Sequence, residues 1–317
     1  MLHPLELEIV LAIQDLFSPL LGPLGTLSSL GGQLALLLAV PLLYWCVDPA
    51  IGLRAGILMG IAGGLNGALK LFFHTPRPYW LNDRVIALDT STTFSMPSGH
   101  AQVSLAVLGY LAVRIPRRSV GVLAIFLVAS IGISRIILGA HFPLDVLGGW
   151  AAGLVILLIF CAADARYGDR IAQFPPAQSV VLAAAGSLLL LLLFISAALV
   201  AEGFFVPASW IANSIARAGA FEPFNPALVL FSCGSIFGLT AGAAVAGPGF
   251  SAASPFAAKI RVLVGLLGVA VIWYGLGAAL PLTVPPGTYL VEYFRAALWG
   301  LWVTLGAPFL FSCIEPS

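Results

Sequence analysis

Ser119-Val-Gly-Val-Leu-Ala-Ile-Phe-Leu-Val-Ala-Ser-Ile-Gly-Ile-Ser134-Arg135-Ile-Ile-Leu138 decides the fold. It is twenty residues long, and its single charge, Arg135, sits close to its end. About 20 apolar residues suffice for a helix to cross the ~30 Å hydrocarbon core of a bilayer, so this stretch is expected to be a membrane span. A short polar word ends it, Gly139-Ala-His141-Phe-Pro-Leu-Asp145, and a further apolar run begins at about Phe142 and reaches Ala163. The expected motif is therefore a pair of membrane helices with chemistry-bearing residues where they meet.

The rest of the chain repeats that theme. Sixty per cent of its residues are hydrophobic, nine per cent are charged, and the mean hydropathy is +1.05, more apolar than a soluble domain can be. Apolar runs are broken by Pro, Gly and charge, without the alternation a β-barrel requires, so the fold class is an all-α polytopic membrane bundle. Nine spans are expected, at 33–47, 51–73, 101–113, 119–138, 142–163, 179–200, 227–246, 262–280 and 289–311. Ahead of them Leu5, Ile9, Ala12, Ile13, Leu16 and Phe17 fall at helical spacing with Glu6, Glu8 and Asp15 elsewhere, the pattern of a helix lying in the interface. The Pro/Gly turn Leu21-Gly-Pro-Leu-Gly25 closes that helix. Tyr44 and Trp45, at the end of the first span, suit an aromatic belt.

A formal charge of +1 exerts no pull on nucleic acid. Cys46, Cys161, Cys233 and Cys313 are scattered without metal-type spacing and read as small core residues. Two Glu and no Lys or Arg precede the first apolar stretch, which argues against a cleavable signal. Arg54, Arg114, Arg117, Arg118, Arg166, Arg170, Lys259 and Arg261 collect on one face of the expected bundle, and that face is cytoplasmic by the positive-inside rule. The polar words fall on the opposite, periplasmic, extracellular or lumenal face, with the C-terminus in the cytoplasm.

There are three such words. The first is Lys70-Leu-Phe-Phe-His74-Thr-Pro-Arg77-Pro78, the second Pro97-Ser98-Gly99-His100, the third Ser134-Arg135 through His141 to Asp145. Lys70, Arg77 and Arg135 lie at span ends, and three cations in one pocket repel one another unless a multiply charged anion neutralises them. Ser98, Gly99 and His100 open the third span, where unpaired amides and the Ser98 hydroxyl make an anion cradle. His141 and Asp145 are four apart, on one face of a helix, so Asp145 can hold the imidazole's tautomer. That imidazole is a plausible nucleophile toward phosphorus, and His100 can protonate the leaving alkoxide and then activate water. The fixed cations take the part a metal plays in other phosphoryl transfers, so no metal or other cofactor is expected.

These words match, at every specified position, the type 2 phosphatidic acid phosphatase (PAP2) superfamily: Lys-x6-Arg-Pro, Pro-Ser-Gly-His and Ser-Arg-x5-His-x3-Asp. The resemblance covers roughly residues 30 to 165. It implies a phosphohistidine on His141, acid–base work by His100, and phosphate contacts from Lys70, Arg77, Ser98, Gly99 and Arg135. The expected organisation is an interfacial helix over 1–30, a five-helix catalytic core over 31–165 that this resemblance covers, and a four-helix extension over 166–317. The nine-span count, the Arg77-Pro-Tyr-Trp80 continuation and the Phe237-Gly-Leu239 region are similar to glucose-6-phosphatases, which lack an acidic residue where Asp145 stands. The expected substrate is accordingly a lipid phosphate or diphosphate drawn from the bilayer: phosphatidic acid, phosphatidylglycerophosphate, a sphingoid phosphate or a polyprenyl phosphate. A sugar phosphatase is the first alternative, followed by a vanadium haloperoxidase and an anionic-lipid carrier.

Single residues here have ordinary readings too. An arginine at a helix end usually snorkels, and Ser-Gly-His can be a simple helix cap. His74 is expected to face the loop rather than line the pocket, His3 to be solvated, and Asp83, Arg84 and Asp89 to be solvated loop charges. Asn66, one turn before Lys70, is either a support for the site or helix glue. The words occurring together, in compatible topology, outweigh these readings.

Overall fold

The structure, a computed structural model, describes residues 3–17, 19, 33–247, 255–275 and 287–314. The turn expected at Leu21 to Gly25 lies outside the described residues. All regular structure among them is helical: α1 (His3–Leu16), α2 (Gln33–Leu42), α3 (Pro49–Phe73), α4 (Pro78–Leu81), α5 (Gly99–Arg114), α6 (Arg118–Ile137), α7 (Pro143–Ala172), α8 (Pro176–Ala201), α9 (Ala208–Ala218), α10 (Ala227–Ala246), α11 (Pro255–Ala270), α12 (Gly287–Leu301) and α13 (Ala307–Ile314). Wide π-type turns extend α2 over Leu43–Val47 and α11 over Val271–Gly275, and join α12 to α13 over Trp302–Gly306.

Seven helices among the described residues are long and apolar enough to cross a membrane, not nine. The two expected spans that fall short are the first and the third. The first is reduced to a short apolar helix, Leu37–Val47. The third, α5, has 16 residues, about 24 Å at 1.5 Å per residue, less than the ~30 Å hydrocarbon core. That count does not confirm the nine-span likeness to glucose-6-phosphatases.

The chain divides into two compact units. One is Met1–Ala35, Leu65–Leu158 and Leu193–Asn225; the other is Leu36–Gly64, Ile159–Leu192 and Pro226–Ser317. In the second unit α10 and α12 pack backbone to backbone. A Cβ on Gly234 or Gly238 would fall within 2.2 Å of the Tyr293 or 2.1 Å of the Ala297 carbonyl oxygen, so only glycine fits this crossing. Tyr44 and Trp45 are buried here rather than placed in a belt, and Trp45 Nε1 donates to Val303 O at 2.8 Å. A buried indole needs such a partner for its N–H. Arg261, expected at the cytoplasmic surface, is also buried and donates to Trp45 O at 3.2 Å.

The first unit carries all three polar words. Its α1 turns Glu6, Val10, Leu11 and Gln14 inward and leaves Leu5, Ile9 and Leu16 exposed. Gln14 Nε2 donates to the Ile86 and Ile137 carbonyls at 2.8 and 3.0 Å, and its Oε1 accepts from Ile86 N–H at 3.0 Å. Glu6 Oε1 accepts from Leu144 N–H at 3.0 Å, satisfying one of the open donors in the first turn of α7. The helix thus straps the loop after α4 to the end of α6 and the start of α7.

Candidate active site

Each word is positioned by a helix end. Lys70 occupies the last turn of α3; Arg77 follows after Pro76, and Pro78 at the first position of α4 fits a residue that needs no N–H there. Arg135 lies in the last turn of α6. Gly139 follows with φ +68°, and a Cβ there would sit 2.6 Å from Ile86 O. A left-handed glycine after a helix turns the chain back, and the Ala140 and His141 amides then close on Arg135 O at 3.1 and 3.2 Å. His141 therefore precedes α7, which begins at Pro143, instead of sharing a helical face with Asp145.

The words are joined mainly through the backbone. Lys70 Nζ donates to Phe94 O at 2.7 Å. Arg77 donates from Nε to Thr93 O at 2.7 Å, from Nη1 to Ala140 O at 3.0 Å and from Nη2 to Phe94 O at 3.1 Å. One guanidinium thus ties the strand of loop before the second word to the third word, a task suited to its planar fork of donors. Ser98 N–H donates to Asp145 O at 2.8 Å, linking the second word to α7. Lys70, Arg77, Ser98, Arg135, His141 and Asp145 are all buried.

The N-terminus of α5 is the candidate anion cradle. The Ser98 hydroxyl is fully buried, makes no cap bond to its helix and has no hydrogen-bond partner among the described residues. An ordinary cap would have satisfied it. Asn66 fixes the turn from α3, donating from Nδ2 to Pro97 O at 3.0 Å and to Gln102 Oε1 at 2.9 Å. A Cβ on Gly99 would lie 3.0 Å from Asn66 Oδ1, so Gly99 makes room for this support. From the other side α7 presses Gly149 and Gly153 onto α5, where a Cβ would meet Ser98 O at 2.6 Å and Gln102 O at 2.5 Å.

His141 and Asp145 meet through a third residue. Asp145 Oδ2 accepts from Phe142 N–H at 2.8 Å and from the hydroxyl of Ser95. Ser95 Oγ is 3.1 Å from His141 Nδ1, whereas Asp145 Oδ2 is 3.5 Å from it. Ser95 went unread in the sequence; its only signal is its place five residues before His100. Burial, then the charges of Arg77, Lys70, Arg135 and His100, holds the His141 imidazole well below its ordinary 6.5, because each disfavours a further positive charge.

Asp89 is no solvated loop charge: it pairs with Arg135 Nη1 at 2.8 Å. Burial raises its carboxyl, but the hydrogen bond and charge of Arg135, with His100 and Arg77 behind, bring it below the ordinary carboxylate value. His74 stands at φ +50°, stacked on Phe204 at 4.4 Å and edge-on to Phe94 at 5.4 Å, within an aromatic cluster that includes Trp80, Trp210 and Phe221. His3, expected in solvent, lies with its ring 5.3 Å from that of Phe142. Asp83 offers its carbonyl to Arg217 Nη2 at 2.8 Å.

Compared with known families, residues 51–168 match the PAP2 superfamily. That match spans 118 of the 317 residues. Residues 230–316 match the transmembrane extension of PAP2 superfamily phosphatases, and the chain is an integral membrane protein. Over 84 residues the chain is 33% identical to phosphatidylglycerophosphatase B of Bacillus subtilis (strain 168), a stretch that covers 24% of this chain and 41% of that protein. No solved structure matches the chain. The PAP2 match takes in all three words, from Lys70 to Asp145.

Proposed function

We propose that the protein is a membrane-embedded phosphatase that hydrolyses a lipid phosphate monoester or diphosphate through a phosphohistidine on His141. One observation carries the reading: three buried cations, a buried Ser98 hydroxyl with no partner among the described residues and an imidazole held by Ser95 lie close together. Lys70, Arg135 and the Ser98–Gly99 cradle hold the phosphate oxygens, with Arg77 completing the positive wall. His141 Nε2 attacks phosphorus, His100 protonates the leaving oxygen and then draws a proton from the attacking water, and Asp145 sustains the imidazolium that forms. The cations supply the charge stabilisation, so no divalent ion is required.

A lipid substrate is supported by the membrane setting and by the activity in the name of the Bacillus subtilis relative, which makes phosphatidylglycerophosphate the first compound to try. The excess of Arg and Lys at the opposite ends of the helices supports a site on the periplasmic, extracellular or lumenal face. The test is phosphate release in detergent with mixed lipid, from phosphatidic acid, phosphatidylglycerophosphate, polyprenyl diphosphate and glucose 6-phosphate, each beside His141→Ala and each with and without EDTA. Preference for a lipid, loss of turnover and of the covalent intermediate in His141→Ala, and indifference to EDTA are expected. Turnover of the sugar phosphate alone, an undiminished phosphoenzyme in the variant, or complete loss in EDTA restored by a divalent ion would each refute part of the reading.

A further inference from the structure

We infer that Ser95 is a positioning residue that couples Asp145 to the nucleophilic imidazole of His141, so that the carboxylate acts through a hydroxyl rather than directly. This rests on the phosphatase reading above. Ser95 is fully buried, and its Oγ lies within hydrogen-bond distance of both His141 Nδ1, at 3.1 Å, and Asp145 Oδ2. The direct separation of Nδ1 from Oδ2, 3.5 Å, is too long for a good hydrogen bond between those groups. The serine is itself held by its backbone, with its N–H on Thr75 O at 3.0 Å and its carbonyl facing Lys70 Nζ at 3.5 Å.

Donor counting sets the direction. A hydroxyl has one proton and two lone pairs, and an ionised carboxylate only accepts. The Ser95 proton therefore goes to Asp145, which already accepts the Phe142 amide. The Ser95 oxygen is then left to accept, and the proton on the His141 ring must sit on Nδ1. That tautomer places the lone pair on Nε2, where attack occurs. Reversing the serine would set its oxygen lone pairs against the carboxylate, which is repulsive.

In the first half-reaction the Nε2 lone pair forms a bond to phosphorus, and the bond from phosphorus to the leaving oxygen breaks. That oxygen takes the proton carried by His100. The ring becomes an N-phosphoryl imidazolium whose Nδ1–H points at Ser95, and the Ser95 hydroxyl passes the stabilising field of the carboxylate without losing its proton. In the second half-reaction water adds to phosphorus and gives a proton to His100, while the P–N electron pair returns to Nε2. Ser95 touches no reacting atom in either half, so its removal acts on the chemical step and not on phosphate binding.

The test measures kcat, KM and phosphoenzyme formation for Ser95→Ala, Ser95→Thr, Asp145→Asn and the Ser95→Ala/Asp145→Asn double variant, on the substrate the unaltered protein turns over best. Thermal melting of each variant in detergent accompanies the rates. Ser95→Ala is expected to lower kcat on the order of 100-fold, the scale of a misplaced reacting group, with KM little changed. Ser95→Thr, which keeps the hydroxyl, is expected to recover most of that loss. The double variant is expected to be no worse than Asp145→Asn alone, since members of one unit are not additive. Undiminished kcat in Ser95→Ala, a loss confined to KM, a Ser95→Thr that melts normally but is as slow as Ser95→Ala, or losses that multiply in the double variant would overturn the role of Ser95. Absence of phosphate release by the unaltered protein would instead overturn the phosphatase reading on which it rests.

Discussion

Adding one methyl group at Gly149 should damage catalysis more than a similarly crowded methyl elsewhere on the same helix pair. A Cβ at Gly149 would stand 2.6 Å from Ser98 O, 3.0 Å from Ala101 Cβ and 3.3 Å from Gln102 N. Ordinary contact begins near 3.4 Å, so α7 and the cradle must part by about 0.8 Å, and two of these three atoms are backbone that cannot rotate away. At a turn proposed to hold phosphate, a displacement of that size costs on the order of 100-fold in rate. Overpacking itself costs about 1–3 kcal/mol of stability. The control is Gly109→Ala in α5, whose Cβ would approach within 2.5 Å of Leu157 Cδ2, the movable end of a side chain. Phosphate release and thermal melting are measured for both. Gly149→Ala should be slow and somewhat less stable, Gly109→Ala close to unaltered in rate. Equal rates in a folded Gly149→Ala protein would refute the view that α7 sets the position of the Ser98–His100 turn.

Other consequences follow from the same geometry. Arg77→Lys should lower kcat/KM at least about tenfold, because one ammonium cannot replace donors shared among Thr93 O, Ala140 O and Phe94 O; activity within a factor of two would refute it. His141 is held well below 6.5, so the neutral imidazole of the proposed nucleophile persists as the pH falls through that value. The acid limb of log kcat/KM should then lie below pH 6.5, and a limb centred above pH 7 would refute the assignment. Gln14→Ala strips a side-chain partner from both backbone groups of Ile86 and from Ile137 O, at a cost of about 1–3 kcal/mol. Its melting temperature in detergent should drop, and an unchanged one would show that α1 is not a strap.

Much of this protein could be read before any coordinates. Composition alone settles a helical membrane chain, because in lipid the backbone must bond to itself within each span. The three words name the candidate residues because phosphate chemistry needs fixed cations, a helix start and a paired imidazole, and few other sites need all three. Length was harder to judge: hydropathy marks residues 101–113 as a span, whereas the helix there has 16 residues and carries buried Gln102 and Ser104. Trp45 looked like an interface anchor for the same reason, since an indole at the end of an apolar run reads alike whether its N–H meets a headgroup or Val303 O.

What tertiary structure alone decided is how the residues meet. Asp145 and His141 are four apart, yet Ser95, some fifty positions earlier in the chain, stands between them. Asp89 looked like a loop charge until the fold laid it on Arg135. Gly149 and Gly153 resemble any other small residues in an apolar run, and only the crossing of α7 over α5 makes them the positions where a methyl group cannot go. Sequence determines the kinds of groups available and the helix ends that carry them. Which lone pair faces which proton depends on distances of a few tenths of an ångström, and those are fixed by packing between segments far apart in the chain.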